Sequence, residues 1–398
     1  MMIMSGLDKF SFGIPANLRF GCGVMDELQK ASLPGKRVMI VTGGQTIRRN
    51  GTVDRLTDMV RNKTEQMILF DDVSANPSLT SVMNGARTAR EDQIDCVIGI
   101  GGGSALDTAK GIAAMAVNEG SLWDYTASGS GSGKKMSVKP LPMIAIPTTA
   151  GTGSEGNKTA VITDVERKEK IGVRTDFVHS AYIDPELTLS VPPRHTAEQG
   201  FDAFCHCLEA FLSVKANPVS DLFALDGMKA IYQWLPRAVE QGSDIEARYH
   251  VSYGSMLGGM VLYLSSASAA HTMEHMLSGM NPKVTHGGGL AMIFDAFHAK
   301  MAANAAYRYA EVADALHIAP KGADESEKAE ALLQALHSWK CKLGLDQLKL
   351  ADYGFVTDQI DEMVRMTHWV GGGPLTRDRY RLTDDDLAEI LENSLNSH

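Results

Sequence analysis

No run of about 18 uninterrupted apolar residues occurs in the sequence, so a membrane-spanning helix is not expected. The opening stretch, MMIMSGLDKFSFGIP, has no cationic segment leading into a long apolar run, which argues against export. Cysteine is scarce. Its five positions, Cys22, Cys96, Cys205, Cys207 and Cys341, are odd in number and scattered, which excludes a disulfide scaffold and fits reduced thiols in the cytoplasm. Basic charge is also in deficit: 38 Lys and Arg against 48 Asp and Glu leave a net charge of −10, with no basic run to compensate. Nucleic acid and anionic membrane are therefore not expected as partners. Apolar material is plentiful, with 44% hydrophobic residues in 398, enough for two cores.

Up to about residue 190 the pattern alternates apolar β-type runs with helix-like stretches. The runs are Arg37 to Thr42, Gln66 to Phe70, Asp95 to Ile100 and Pro142 to Ile146. Continuous apolar strands in βα alternation predict an α/β domain over residues 1–190, Rossmann-like, with a mainly parallel sheet. Beyond Val191-Pro192-Pro193 helical periodicities take over, as at Asp221 to Leu235 and Lys300 to Leu316, so residues 191–398 are expected to be an all-α domain. The SGSGSGKK stretch, Ser128 to Lys135, is the one low-complexity segment and is expected to be a mobile surface loop.

Two turns carry nucleotide chemistry. Ile98 to Lys110, IGIGGGSALDTAK, is an apolar strand that breaks into Gly101, Gly102, Gly103 and Ser104 before a helix. Backbone N–H groups without side chains can approach a pyrophosphate there, and the helix N-terminus favours its charge. The match to G-x-G-x-x-G is incomplete, because Ser104 stands where the third glycine falls. A tight turn without a ligand is the simpler alternative. The second turn, PTTAGTGSE, leaves the next strand with Thr148 and Thr149, whose hydroxyls suit polar groups of a cofactor.

The helical half holds a metal-type constellation. Asp202 and His206 are spaced i, i+4 in FDAFCHCLEAF, as are His271 and His275 in HTMEHMLSGMNPKVTHG, with His286 following a turn. That spacing sets a carboxylate and an imidazole on one helical face. Asp202, His206, His271 and His286 would form an N3O set suited to Fe(II) or Zn(II) and too rich in nitrogen for Mg or Ca. Cys205 and Cys207 flank His206 but point elsewhere around the helix, so they are read as packing.

Taken together and in this order, GGGSALDTAK, PTTAGTGSE, FDAFCHCLEAF and HTMEHMLSGMNPKVTHG resemble the signature segments of the iron-containing alcohol dehydrogenase family. The resemblance implies an enzyme with cofactor and metal meeting between two domains, and a homodimer or larger assembly. It assigns Asp202, His206, His271 and His286 as ligands and His275 as the proton-relay residue near the nicotinamide. Lys170 is similar in placement to a family lysine that reaches the cofactor ribose. Gly43 stands where NAD-preferring members place an aspartate, and TGGQTIRRNG resembles NADP-using butanol dehydrogenases. Gly43, Gly44, Thr46 and Arg48 would then hold a 2′-phosphate, so NADP(H) is expected ahead of NAD(H). The implied substrate is a small alcohol or aldehyde. Alternatives are an NAD-dependent reductase of a hydroxy- or sulfo-substituted aldehyde, a lyase of the dehydroquinate-synthase type, and a non-catalytic nucleotide- or metal-binding protein.

Overall fold

The computed structural model describes residues 9–43 and 46–396. Six strands form one sheet: β1 (Asn17–Phe20), β2 (Arg37–Thr42), β3 (Gln66–Phe70), β4 (Cys96–Gly101), β5 (Met143–Pro147) and, beyond a hairpin, β8 (Ser180–Ile183). The hairpin pairs β6 (Thr159–Asp164) with β7 (Glu169–Arg174), antiparallel and outside the main sheet. Its neighbours are the helix after β4 on one side and the helical half on the other. Strand order in the sheet is β1-β8-β5-β4-β2-β3, and every pairing is parallel.

Parallel strands covered on both faces must be apolar throughout, and β4 and β5 are buried at every position. The covering helices are α1 (Thr46–Arg49), α2 (Thr52–Arg61), α3 (Leu79–Glu91) and α4 (Gly103–Met115). Strands β2 and β3 match their expected bounds, while β4 and β5 are shifted by one residue toward their C-terminal ends. The chain reverses its direction of sheet growth between β2 and β4. Ligands of open α/β sheets collect in the crevice beyond the carboxyl ends at such a switch.

From residue 193 onward the described residues form only helices: α5 (Pro193–Leu212), α6 (Pro218–Glu240), α7 (Ile245–Leu264), α8 (Ala269–Met280), α9 (His286–Ala315), α10 (Glu325–Lys342), α11 (Ile360–Gly371) and α12 (Asp384–Leu395), with short 3-10 turns between. Helix α5 lies at the centre, packed on α6, α7 and α9, and is buried almost all round. Phe201 and Phe204 anchor it against Phe294 and Trp339. Truncating such a ring costs about 3–5 kcal/mol. Helix α9 begins 14 residues earlier than the Lys300 start expected from periodicity and has a non-helical break at Ala305. None of the helices is long and apolar enough, among the described residues, to cross a membrane.

Two features differ from expectation or lock the halves together. The SGSGSGKK segment is tied down at its start: Gly129 N–H donates to Trp369 O at 2.8 Å, Ser128 Oγ to Val370 O at 2.9 Å, and Ser130 to the Glu169 carboxylate. Composition suggests a free loop because its partners are distant in the chain. The second feature is Gly259 in α7, which packs on the backbone of Gly153; a Cβ there would lie 1.9 Å from the Gly153 carbonyl oxygen. An exposed helical Gly→Ala change gains up to ~1 kcal/mol. Gly259→Ala is expected to do the reverse, losing about 1–3 kcal/mol through overpacking. Thermal unfolding of the variant checks this, and a raised melting temperature would contradict the contact.

Candidate metal centre and dinucleotide cleft

The turn after β4 opens the sheet at the switch point. Gly101 has φ +148, a conformation that side chains rarely adopt, and a Cβ there would sit 2.7 Å from Ala105 Cβ and 3.8 Å from Gly43 N. The two strand ends thus face each other across the crevice. Gly102 caps α4 without a side-chain partner, leaving the first N–H groups available to an anion. The second turn joins it: Thr148 N–H donates to Gly101 O at 2.9 Å, and a Cβ on Gly102 would lie 3.3 Å from Thr149 Oγ1. The structure thus brings Gly43, Gly101, Gly102, Gly103, Thr148 and Thr149 together at the strand ends. Ser104 points its hydroxyl at Ala75 O. Gly44 and the Thr46 side chain lie outside the described residues. The Arg48 guanidinium pairs with the Asp71 carboxylate at the surface.

In the helical half, α5 carries Asp202 and His206, α8 carries His271 and His275, and His286 begins α9. Asp202 Oδ1 lies 3.3 Å from His206 Nε2 and 3.5 Å from Nε2 of both His271 and His286. Four ligands at about 2.1 Å from one ion in a tetrahedron are separated by about 3.4 Å, so these spacings suit a single cation. Asp202 Oδ1 and His271 Nε2 are also buried without a hydrogen-bond partner among the described residues. A polar atom is rarely left so unless something else satisfies it. The four residues fit a divalent metal.

Behind the ligands stand two carboxylates that the sequence pattern had not singled out. Glu209 accepts from His271 Nδ1 at 2.6 Å and is itself held by Ser268 N–H and Oγ. Glu274 contacts His286 Nδ1 and forms a buried ion pair with Lys170 at 3.2 Å. Such partners fix the tautomer and aim the other ring nitrogen. Burial alone would raise both carboxyls, but His271 at Glu209, and His286 with Lys170 at Glu274, outweigh it and hold each near about 2. Burial likewise opposes charge on Asp202, yet the surrounding imidazoles keep it well below the usual carboxylate range. Burial pushes His206 down to about 4, the neutral state in which imidazole binds metals. At His271 burial is overcome by Glu209 and Asp202, which lift the ring to about 10. Three ionised carboxylates around one point favour positive charge there.

Lys170, expected near a cofactor ribose, sits in a buried ion pair. Its ammonium donates to Ser278 Oγ at 2.8 Å and to both Glu274 oxygens, because a buried ammonium needs a counter-charge and Glu274 lies within reach. His275 faces the same cavity, its ring 5.6 Å from that of His286 and held well below its ordinary pKa by burial and by Lys170. Cys205 and Cys207 are buried in the core and stay clear of the cluster, as expected of packing residues. A cleft of about 1600 Å³ runs from Gly103 and Ser104 to His206, His271, His275 and His286. On its floor a second buried network joins α4 to the 3-10 turn Ser154–Gly156. Lys110 Nζ donates to Ser154 O, Ser154 Oγ and Thr159 O, while Asp107 accepts from Ser154 Oγ and Val161 N–H. Burial raises Asp107 and lowers Lys110 to about 8.

Fold and cluster together describe a protein with a dinucleotide-type parallel sheet and, in its helical part, four residues placed to hold a metal ion. Residues 15–185 match the family described as iron-containing alcohol dehydrogenase, and residues 196–395 match the C-terminal part of the Fe-containing alcohol dehydrogenase family. A choline dehydrogenase of Bacillus subtilis is 36% identical over 72% of this chain and 71% of its own length. The NADH-dependent butanol dehydrogenase A of Clostridium acetobutylicum is 30% identical over 97% of this chain and 99% of its own. Among solved structures, an archaeal Red Sea brine pool alcohol dehydrogenase superposes with a TM-score of 0.91 at 29% identity, covering 98% of this chain and 100% of that one. The chain belongs to the iron-containing alcohol dehydrogenase family, whose members are oxidoreductases.

The cluster makes a direct prediction. Glu209→Gln keeps the side-chain volume but removes the charge behind His271, so metal affinity should fall about 10- to 100-fold. His271→Ala should abolish retention altogether. Metal content after dialysis, read by mass spectrometry, decides both; full occupancy in His271→Ala would show the site to be elsewhere.

Proposed function

We propose that the protein is a metal-dependent alcohol dehydrogenase or aldehyde reductase that moves hydride between NAD(P)(H) and a small alcohol or aldehyde. The observation that carries this reading is the convergence of Asp202, His206, His271 and His286, with two ligand atoms unsatisfied, on the cleft that also reaches the N-terminus of α4. These residues would hold Fe(II), with Zn(II) as the alternative. When bound, the metal supplies Lewis-acid polarisation of the substrate oxygen, and the nicotinamide gives or takes the hydride.

The chain's own residues do the rest. Gly101, Gly102, Gly103 and Ser104 bring backbone N–H groups to the pyrophosphate, and Thr148 and Thr149 line the adjoining strand end. Glu209 and Glu274 hold the rings of His271 and His286. Lys170 balances Glu274 in this reading, and contact with the ribose would require it to leave that pair. His275, uncharged at neutral pH, takes a proton from the alcohol oxygen in oxidation and returns it in reduction. Without a carboxylate at Gly43, a 2′-phosphate meets no repulsion, which favours NADP(H); Gly44 and Thr46 would complete that contact. The chain divides near residue 190 in this reading, works in the cytoplasm and assembles as a homodimer or larger oligomer. The lyase alternative is not favoured, since both matched regions are of the alcohol dehydrogenase family.

Anaerobically purified, Fe(II)-loaded protein should oxidise NADPH with short aldehydes faster than NADH, and chelation should stop both reactions. Absence of turnover with every carbonyl would defeat the reading, while a preference for NADH would overturn only the cofactor choice. His275→Ala should retain metal yet slow turnover about 10²–10⁴-fold, as loss of a proton relay does. Unimpaired turnover in that variant would remove the role assigned to this histidine.

A further inference from the structure

In a chain of net charge −10, the cleft is lined by cations. Several have no carboxylate partner among the described residues, and four of these stand in two neighbouring pairs on two sides of the cleft. The open end of the hairpin supplies Lys158 and Arg174, placed together because Thr159 pairs with Arg174 and Thr175 N–H donates to Lys158 O at 2.8 Å. Lys158 Nζ lies 5.2 Å from the centre of the Tyr263 ring. The helical half supplies Lys215 and Arg377, neighbours because Val214 N–H donates to Arg377 O at 2.8 Å. Asp378 then accepts from Ala269 N–H at 2.9 Å, anchoring this pair at the first turn of α8, two residues before His271.

The acidic groups of the cleft do not cancel this charge. Asp176 pairs with Lys139, and Asp107 is buried and committed to Ser154 and Val161. Distance fits a short substrate. Lys170 and Arg174 share one face of β7, and four residues of strand span about 13 Å. Lys170 touches the cluster and Arg174 lines the same cleft, so the long arginine side chain has to bridge only part of that span to meet the far end of a short substrate. Resting on the dehydrogenase reading above, we infer that Lys158, Arg174, Lys215 and Arg377 form an anion subsite. It selects alcohols and aldehydes that carry a carboxylate, sulfonate or phosphate at the end remote from the reacting oxygen.

The test uses three alcohols of similar size and different charge: 4-hydroxybutyrate, 1-butanol and choline, each oxidised by the metal-loaded full-length protein with its preferred cofactor. A charge-assisted hydrogen bond is worth about a factor of ten or more, so kcat/KM should fall about tenfold from the anion to the neutral alcohol and lower again for the cation. Sodium sulfate should inhibit competitively with 4-hydroxybutyrate, and added salt should erode the preference. Arg377→Gln and Lys215→Gln, both changes at accessible side chains, should each shrink the ratio of 4-hydroxybutyrate to 1-butanol. Equal kcat/KM for those two alcohols would overturn the subsite and leave the dehydrogenase reading standing. A rise in the cofactor's KM in the two variants, with the alcohol ratio intact, would assign the cations to cofactor phosphate instead. Failure to oxidise any of the three would defeat the underlying reading and the subsite with it.

Discussion

The structure depends on a carboxylate, Asp202, buried in the middle of the central helix of the helical half. An isolated ionised carboxylate in such a place costs many kcal/mol, so everything around it must answer its charge. A protonated His271 answers part of it, but that ring is shared with Glu209. Glu209 and Glu274 add two more buried negative charges, and the one ammonium among them, Lys170, offsets only one. A divalent cation held by the four residues would close the balance, displacing the proton from His271 so that all three histidines bind it in their neutral form. Charge thus limits the ion's valence, whereas the N3O donor set limits its chemistry.

That requirement explains why α5, α8 and α9 are held so tightly. The ligands come from three elements, and the N-terminus of a fourth, α4, faces them from the other half. Small displacements of one half against the other would separate nucleotide from metal. Backbone contact between Gly259 and Gly153 sets the approach, and Asn157 reinforces it by donating to Gly153 O and Gly259 O. The Asp107–Lys110–Ser154 network fixes the same turn from below, and its partners are all buried, so any misplacement leaves a charged group unsatisfied.

Local signals were legible in the sequence wherever a residue's role follows from spacing along one element. Strand cores showed as unbroken apolar runs, and Asp202 with His206 showed as an i, i+4 pair. Glu209 continues that same face at i+7 from Asp202 and could have been found by extending the pattern. Glu274 hides between His271 and His275, where its side chain points behind the ring of a residue twelve positions later. The ties of the SGSGSGKK segment to Trp369 and Val370, and of Lys170 to Glu274, join positions about 100 to 240 apart in sequence. No periodicity encodes such pairings; they exist only once the halves have packed.

Electrostatics at the cleft then separates two tasks. With a divalent cation bound, the buried cluster would be balanced and would exert little field on an approaching molecule. The accessible cations around it are not balanced, and a low-dielectric cleft focuses their field even though the protein as a whole is negative. A dinucleotide, with its phosphates, is drawn into the same space. With its pyrophosphate at the N-terminus of α4, as the proposed reading has it, the dinucleotide would neutralise that end of the cleft and leave Lys215 and Arg377, beside the first turn of α8, to another molecule. In that reading Lys215 and Arg377 would keep their charge for the second molecule, joined by Lys158 and Arg174 from the hairpin, so nucleotide chemistry lies beyond the parallel sheet while discrimination by charge is shared between the hairpin and the helical half.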